Sequence, residues 1–432
     1  MRRVLMLAYY FPPLGGMASQ RLTGFARHLA EYGWEAVVVA PRDGAYHRDS
    51  ELSFPEERVI RTGSIEFSRA GKRLLRTGGD DVRVAEVGRG QALIRQAARS
   101  MLYFPDPQIG WYAPALAAAR RELRRQPYDA VLSSSLPITA HLIARRLHRS
   151  TGLPWIADFR DPWSTLKAPG VLRRRALRLE RGLASEASAV TMTSPTWAAE
   201  HGRRWGRHVE VIPNGHDDQR ASAPRSSQSF VLSYLGTIYP AQQDLSAAWE
   251  AIRRGIAAGR PIVDRLRFIG DLHPALAEQI DSFGLRHIVD ETGFVSHREA
   301  IELLRDSSAA LLAGPRHAGG ATRGHVAGKI AEYLASGLPI VYVGDPGSDA
   351  AALLRRHAGC HVCAAGDVDG VAGALVACRE PAFDRDVSGL SRRSLAKRLA
   401  AVLDGAVDSL AERGSAGGGD RHDGNPPRLT AG

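Results

Sequence analysis

Cysteine is scarce in this 432-residue chain: Cys360, Cys363 and Cys378 are its three, all near the end of the second half. So few thiols exclude a disulfide framework, and the odd count fits a reducing cytoplasm. Cys360 and Cys363 have a Cys-x-x-Cys spacing, but no second ligand pair accompanies them, so small buried thiols are expected rather than a zinc or redox site. No run of eighteen apolar residues occurs, which removes the signature of a spanning helix. The opening Met1-Arg2-Arg3 followed by Val4 to Phe11 is too short for a signal core before Pro12 and Pro13. A cytoplasmic protein, soluble or peripheral at the inner face of a membrane, is the expectation. Acidic residues are also in deficit, with 46 Asp and Glu against 57 Lys and Arg, a net charge of +11 that is mostly arginine. Without a helix-turn-helix, zinc finger or aromatic-basic strand, that charge does not point to nucleic acid. An anionic membrane surface remains a candidate partner.

What is present is globular in composition, 44% hydrophobic and 24% charged, and long enough for two domains. Val4 to Tyr9 is an apolar run ending in Phe11-Pro12-Pro13-Leu14-Gly15-Gly16; helical periodicity follows over 21–32, then a strand over 35–40. Strand, glycine turn, helix and strand open a doubly wound sheet. Further strands are expected over 129–133, 155–158 and 189–193, with helices over 92–101, 139–148 and 172–184. After Pro213-Asn214-Gly215 the chain turns polar, and a second α/β series begins at Phe230. The most informative segment is Arg323 to Gly344, RGHVAGKIAEYLASGLPIVYVG. Gly328 and Lys329 would open a helix whose free N–H groups favour an anion, with Glu332 on the same face. Gly337 would end that helix and Ile340 to Val343 form a buried strand. Phosphate at the helix mouth and hydroxyls one turn deeper describe a nucleoside diphosphate; an ordinary helix and strand of an α/β fold would read the same way.

Four motifs in order carry a resemblance. Phe11-Pro12-Pro13-x-Gly15-Gly16, Val211-Ile212-Pro213-Asn214-Gly215, the Trp155-Ile156-Ala157-Asp158-Phe159-Arg160-Asp161-Pro162-Trp163 segment and Gly328-Lys329-x-x-Glu332-Tyr333-Leu334-Ala335-x-Gly337-x-Pro339 resemble a GT-B glycosyltransferase of the retaining family 4 type. The third is similar to the ADFRDPW motif of a bacterial branch. The resemblance implies an α/β GT-B fold, two Rossmann-like domains facing each other across a cleft. Expected boundaries are 1–200 for the acceptor side, 209–229 for the junction, 230–385 for the nucleotide-sugar side, 386–412 for a helix crossing back and 413–432 for a disordered tail.

The same resemblance implies roles. Gly15, Gly16, Arg323, Gly328, Lys329 and Glu332 would hold the donor, with Glu332 on the ribose hydroxyls and Lys329 on the diphosphate. Asp158, Arg160 and Asp161 would be the catalytic group; an internal salt bridge is the alternative for them. Trp111 and Trp163 would wall the acceptor, although core packing is the commoner use of tryptophan. The donor is a nucleoside diphosphate sugar, a UDP-sugar by default, and the acceptor a sugar, lipid-linked or small molecule. No metal or other cofactor is expected, since no Asp-x-Asp follows a strand in the first half. Retaining transfer in cell-surface polysaccharide or glycolipid synthesis is the expected function; a natural-product glycosyltransferase, a nucleotide-sugar 2-epimerase and a silent nucleotide-sugar binding protein are alternatives. Three departures stand out. The glutamate that relatives carry eight residues before Glu332 is Gly324 here, the loop Gly236 to Gln243 has no phosphate-clamping Arg or Lys, and a usual histidine is replaced at Asp158 or Arg160.

Overall fold

The computed structural model describes residues 1–42, 48–49, 51–64, 104–163, 170–217, 229–316, 322–379 and 385–416. The helix expected over 92–101, the distal junction 218–228 and the tail from 417 lie outside the described residues.

Thirteen strands among the described residues form two parallel sheets. The first comprises β1 (Arg2–Leu7), β2 (Trp34–Pro41), β3 (Val59–Thr62), β4 (Ala130–Ser135), β5 (Trp155–Phe159), β6 (Ala189–Met192) and β7 (Glu210–Val211) in the order 3-2-1-4-5-6-7. The second comprises β8 (Val231–Leu235), β9 (Arg265–Ile269), β10 (Val289–Glu291), β11 (Ala309–Ala313), β12 (Ile340–Gly344) and β13 (Cys360–Ala364) in the order 10-9-8-11-12-13. Each sheet reverses its winding once, between β1 and β4 and between β8 and β11. At such a switch point the loops leave the carboxyl ends of neighbouring strands in opposite directions and open a crevice.

Both faces of each sheet are covered, which is why the strands read as continuous apolar runs. Along β1 the side chains alternate: Leu5 and Leu7 join one core, Val4 and Met6 the other. The first core is closed by α2 (Tyr112–Arg125), α3 (Thr139–Thr151), α4 (Gly170–Glu186) and α5 (Pro195–Trp205). The second is closed by α1 (Gly16–His28) and by the C-terminal helix, whose Leu395, Leu399 and Leu403 are fully buried at helical spacing. Burying three leucines there contributes about 1.5–3 kcal/mol each before entropy. In the other sheet α6 (Ser246–Ala257), α7 (Pro274–Ser282) and α11 (Val368–Ala377) cover one face, while α8 (His297–Arg305), α9 (Lys329–Ala335) and α10 (Asp349–Leu354) cover the other. The C-terminal helix α12 spans Arg392–Ala416, so helical backbone continues past the 412 limit expected from the sequence.

The chain crosses between the sheets twice, and the two crossings lie side by side. His216 N donates to Leu390 O at 3.1 Å, and Arg392 N donates to His216 O at 2.8 Å. Gly215 is needed there: a Cβ would come 2.5 Å from Leu390 O and 2.6 Å from the Leu395 side chain. The three cysteines are free thiols near β13 and α11; burial pushes Cys360 and Cys363 up to about 11 and Cys378 up to about 12. Such thiols are protonated at neutral pH and poor nucleophiles.

Candidate active site

The crevice lies where the carboxyl ends of the two sheets meet. On the first sheet it is built by the loop after β1. Gly16 has φ +86°, a left-handed conformation that costs glycine nothing, and α1 starts there without a side-chain cap. Met17 then projects toward the other half, close enough that a Cβ on Gly328 would lie 2.6 Å from its Cε. The structure thus brings Gly15 and Gly16 to the Gly328 end of α9.

On the second sheet, α9 returns to the end of β8. The Lys329 ammonium lies 4.1 Å from the centre of the Tyr234 ring and donates to Leu235 O at 2.5 Å. Tyr333, one turn on, accepts from Leu235 N at 2.7 Å. The next residue, Gly236, has φ +86°, and a Cβ there would stand 3.4 Å from Lys329 Nζ. The loop that lacks its own Arg or Lys is therefore the loop that Lys329 reaches. Arg316, at the end of β11, lies over the same loop and donates to Pro240 O at 2.9 Å. Glu332 is 6% exposed, and Oε1 is held by Arg392 Nη2 at 3.4 Å and faced by His297 Nε2 at 3.4 Å. Its carboxylate also lines a cavity of about 360 Å³ between the halves, with Arg27, Asp49, Asp217 and His297 on other walls.

Arg323 is exposed and turned toward the loop after β12, 4.0 Å from Asp345 Oδ2, with its guanidinium beside Gly347. Gly324 sits under Trp197 of α5: a Cβ would fall 2.6 Å from the indole Nε1. A glutamate at 324 does not fit this arrangement, which gives the absent acid a steric reason. His325 meets the same indole edge-on at 6.2 Å. Next to them Asp349 accepts from Thr196 N at 2.8 Å and Thr196 Oγ1 at 2.6 Å, a second bridge between the halves.

The ADFRDPW segment divides. Asp158 is 1% exposed and lies beneath the first loop rather than on the crevice. It accepts from Arg21 Nη2 at 2.9 Å, Arg21 Nε at 3.2 Å, Ser134 Oγ at 2.8 Å and Thr191 Oγ1 at 2.7 Å. Burial raises its pKa, but Arg21 and the two hydroxyls pull it below the ordinary value. Arg21 also donates to Pro213 O at 2.6 Å and Ile212 O at 2.9 Å, so the pair ties β5, α1 and the junction together. The Asp158 carboxylate is therefore spent in a buried network, and its ion pair is with Arg21, not with the Arg160 of its own motif. Arg160 spends its guanidinium on Ser135 O at 2.6 Å and Leu136 O at 3.2 Å, fixing the loop after β4. Asp161, by contrast, is exposed at the strand end.

The expected acceptor wall is also corrected. Trp111 is fully buried, stacks edge-on to Tyr9 at 5.5 Å and donates to Thr62 Oγ1 at 2.8 Å; Trp163 is 2% exposed against Phe104. Both are core. Trp197 is buried as well, but it packs across the seam over Gly324, and Ser194-Pro195 after β6 was a readable signal, since it starts a helix at a carboxyl strand end. Nothing in the sequence joined Arg21 to Asp158 or Arg392 to Glu332, which are 137 and 60 residues apart.

Residues 15–220 match the sequence model of Glycosyltransferase Family 4, and residues 229–380 match that of Glycosyl transferases group 1. Both models describe glycosyltransferases, and their matches follow one another along the chain. No curated protein matches the sequence significantly. Similar solved structures include Anabaena Alr3699/HepE in complex with UDP and glucose, 18% identical, with a TM-score of 0.55 over 96% of this chain and 100% of that one. WaaG, a glycosyltransferase involved in lipopolysaccharide biosynthesis, is 14% identical, with a TM-score of 0.53 over 94% and 99%. AviGT4, involved in avilamycin A biosynthesis, is 15% identical, with a TM-score of 0.53 over 95% and 99%. At these identities the likeness is one of fold, and that fold is GT-B.

Proposed function

We propose that this chain is a retaining glycosyltransferase that takes its sugar from a nucleoside diphosphate sugar, UDP-linked by default, at the crevice between its two sheets. The observation that supports it most is the placement of Lys329 and Glu332 one turn apart at the switch point of the second sheet, with the Gly15-Gly16 loop against Gly328 opposite. In this reading Glu332 accepts from the ribose hydroxyls, a bidentate geometry suited to a carboxylate. Lys329 and the backbone amides of the two glycine turns meet the diphosphate, with Arg316 and Arg323 as further cations at the rim. No divalent ion is assigned a role. As the anomeric bond breaks, charge develops on the leaving diphosphate, where preorganised donors stabilise it more than in the ground state. The leaving oxygen then takes the acceptor proton on the face from which it departs, so configuration is retained. Asp161 is the acid left at the crevice to orient the acceptor.

The acceptor side favours an anionic or lipid-linked molecule. Helices α2, α3 and α4 pack on one face of the first sheet, and their outer sides carry Arg121, Arg124, Arg125, Arg146, Arg149, Arg173, Arg174, Arg175 and Arg178, all exposed. A basic outer layer on this half suits the anionic inner face of a membrane and synthesis of cell-surface glycans. Among the described residues no helix is long and apolar enough to cross a membrane.

A thermal-shift panel of nucleoside diphosphates and their sugars tests the donor. One base family should raise the melting temperature, by the mass-action effect of a ligand that binds only the folded state. Incubation with the stabilising sugar nucleotide alone then separates the alternatives: a transferase releases at most slow hydrolysis product, whereas an epimerase converts the donor without acceptor. A panel in which no compound shifts the melt contradicts the proposal.

A further inference from the structure

Arg392 occupies an unusual position for an arginine. It is the first residue of α12 and 4% exposed, and its neighbours come from three separate parts of the chain. Nη1 contacts Asp217 Oδ2 of the first crossing at 2.6 Å; Nη2 donates to Gln20 Oε1 of α1 at 2.9 Å and to Glu332 Oε1 of α9 at 3.4 Å. Its stem runs over Gly24, where a Cβ would fall 2.7 Å from Arg392 Cδ. Nε has no acceptor among the described residues.

Burying a guanidinium costs several kcal/mol in desolvation, and an ion pair with Asp217 alone would not require a route through the seam. The group instead reaches the one acidic side chain proposed to touch the donor. A glutamate has three rotatable bonds, so two ribose hydroxyls can be met only if its carboxylate is held. Here Oε1 is fixed from the side of the C-terminal helix, while the carboxylate borders the interdomain cavity. Because Gln20 and Gly24 belong to the first half, the hold exists only when the halves are together.

We propose that Arg392 is the positioning residue of the donor site: one guanidinium, seated on the first half beside Gln20 and Gly24, orients Glu332 of the second and makes that orientation conditional on the two halves being together. The inference rests on the donor reading of Glu332 and deepens it. A donor that needs an oriented Glu332 favours the closed arrangement, and the closed arrangement in turn binds donor more tightly, as linkage requires.

The test is a calorimetric double-mutant cycle with UDP-glucose as the probe. Arg392→Met should weaken binding by about tenfold or more, the usual size for loss of a charge-assisted hydrogen bond. In a Glu332→Gln background the same change should cost less than about twofold, because there is no carboxylate left to orient. Gly24→Ala provides a variant that keeps the charge: the helix preference of alanine offsets part of the overpacking, so the protein should stay folded, while the new methyl displaces the Arg392 stem and weakens UDP-glucose. Penalties that multiply in the double variant, or full affinity in both Arg392→Met and Gly24→Ala while Glu332→Gln is weakened, overturn the inference and leave the donor reading intact. Should Arg392→Met not fold, Gly24→Ala alone decides by the same criterion. Unchanged UDP-glucose affinity in Glu332→Gln, or none in the parent protein, removes the UDP-sugar reading and this inference with it.

Discussion

Two aspartates three residues apart show how much a single side chain depends on what surrounds it. Asp158 and Asp161 belong to one motif, yet the first lies in the core with four donors and the second is exposed at the crevice. Asp158→Asn would leave the Arg21 guanidinium buried without its counter-charge, and a loss of about 3–5 kcal/mol in denaturant unfolding is expected. His141 offers a pH test. Burial lowers its pKa to about 3, with Nδ1 2.7 Å from Ser133 Oγ in the core of the first sheet. The unfolded chain takes up that proton near pH 6.5 and the folded chain does not. Its contribution to stability is therefore complete above 6.5 and declines as pH falls from there toward 3, by about 1.4 kcal/mol per pH unit. Urea midpoints measured from pH 7 to pH 4 should fall on that slope, and His141→Leu should flatten it. The depressed Asp158 carboxyl acts in a lower window, since its stabilisation is present above the unfolded carboxylate value and is lost only as pH falls through the folded one.

Among elements, the short helix α9 has the densest set of roles. Its seven residues bury Ile330 and Tyr333 in the core while Lys329 and Glu332 reach the crevice, so their geometry is set by packing and not by helix propensity. This is why Arg323 to Gly344 was legible: the glycines, the acid and the apolar strand are local signals. Trp111, Trp163 and Asp158 were misplaced because whether such a side chain turns inward depends on a partner distant in sequence, Thr62, Phe104 and Arg21 respectively. The glycine at 324 is the converse case: the missing acid was visible in the sequence, and its cause, Trp197, was not. Gly324→Ala is expected to reduce sugar transfer by pushing the indole out of the seam. Trp197→Ala in the same chain should recover part of the loss, as steady-state rates on one donor would record; equal losses in the single and double variants would refute the contact.

At the scale of the whole molecule, two successive α/β units were readable from strand and helix alternation, because each element carries its own period. How the halves meet was not, since the Asp349 to Thr196 bridge, the paired crossings and the Arg392 cluster join residues far apart in sequence. Asp349→Ala should weaken closure and raise the donor KM severalfold with little change in unfolding midpoint, because the bridge is partly exposed. The basic layer of α2 to α4 makes a separate prediction: sedimentation with vesicles rich in anionic lipid should bind the protein at low salt and release it as ionic strength rises, whereas neutral vesicles should not bind it. Salt-independent binding would contradict an electrostatic contact.

The most direct measurement is calorimetric titration of UDP into the parent protein and into Lys329→Ala and Glu332→Ala, each verified as folded. Saturable one-to-one binding is predicted, weakened about tenfold or more by either substitution because each removes a charge-assisted hydrogen bond. No binding heat for the parent protein, or equal affinity in all three, would contradict a UDP-sugar site at this crevice.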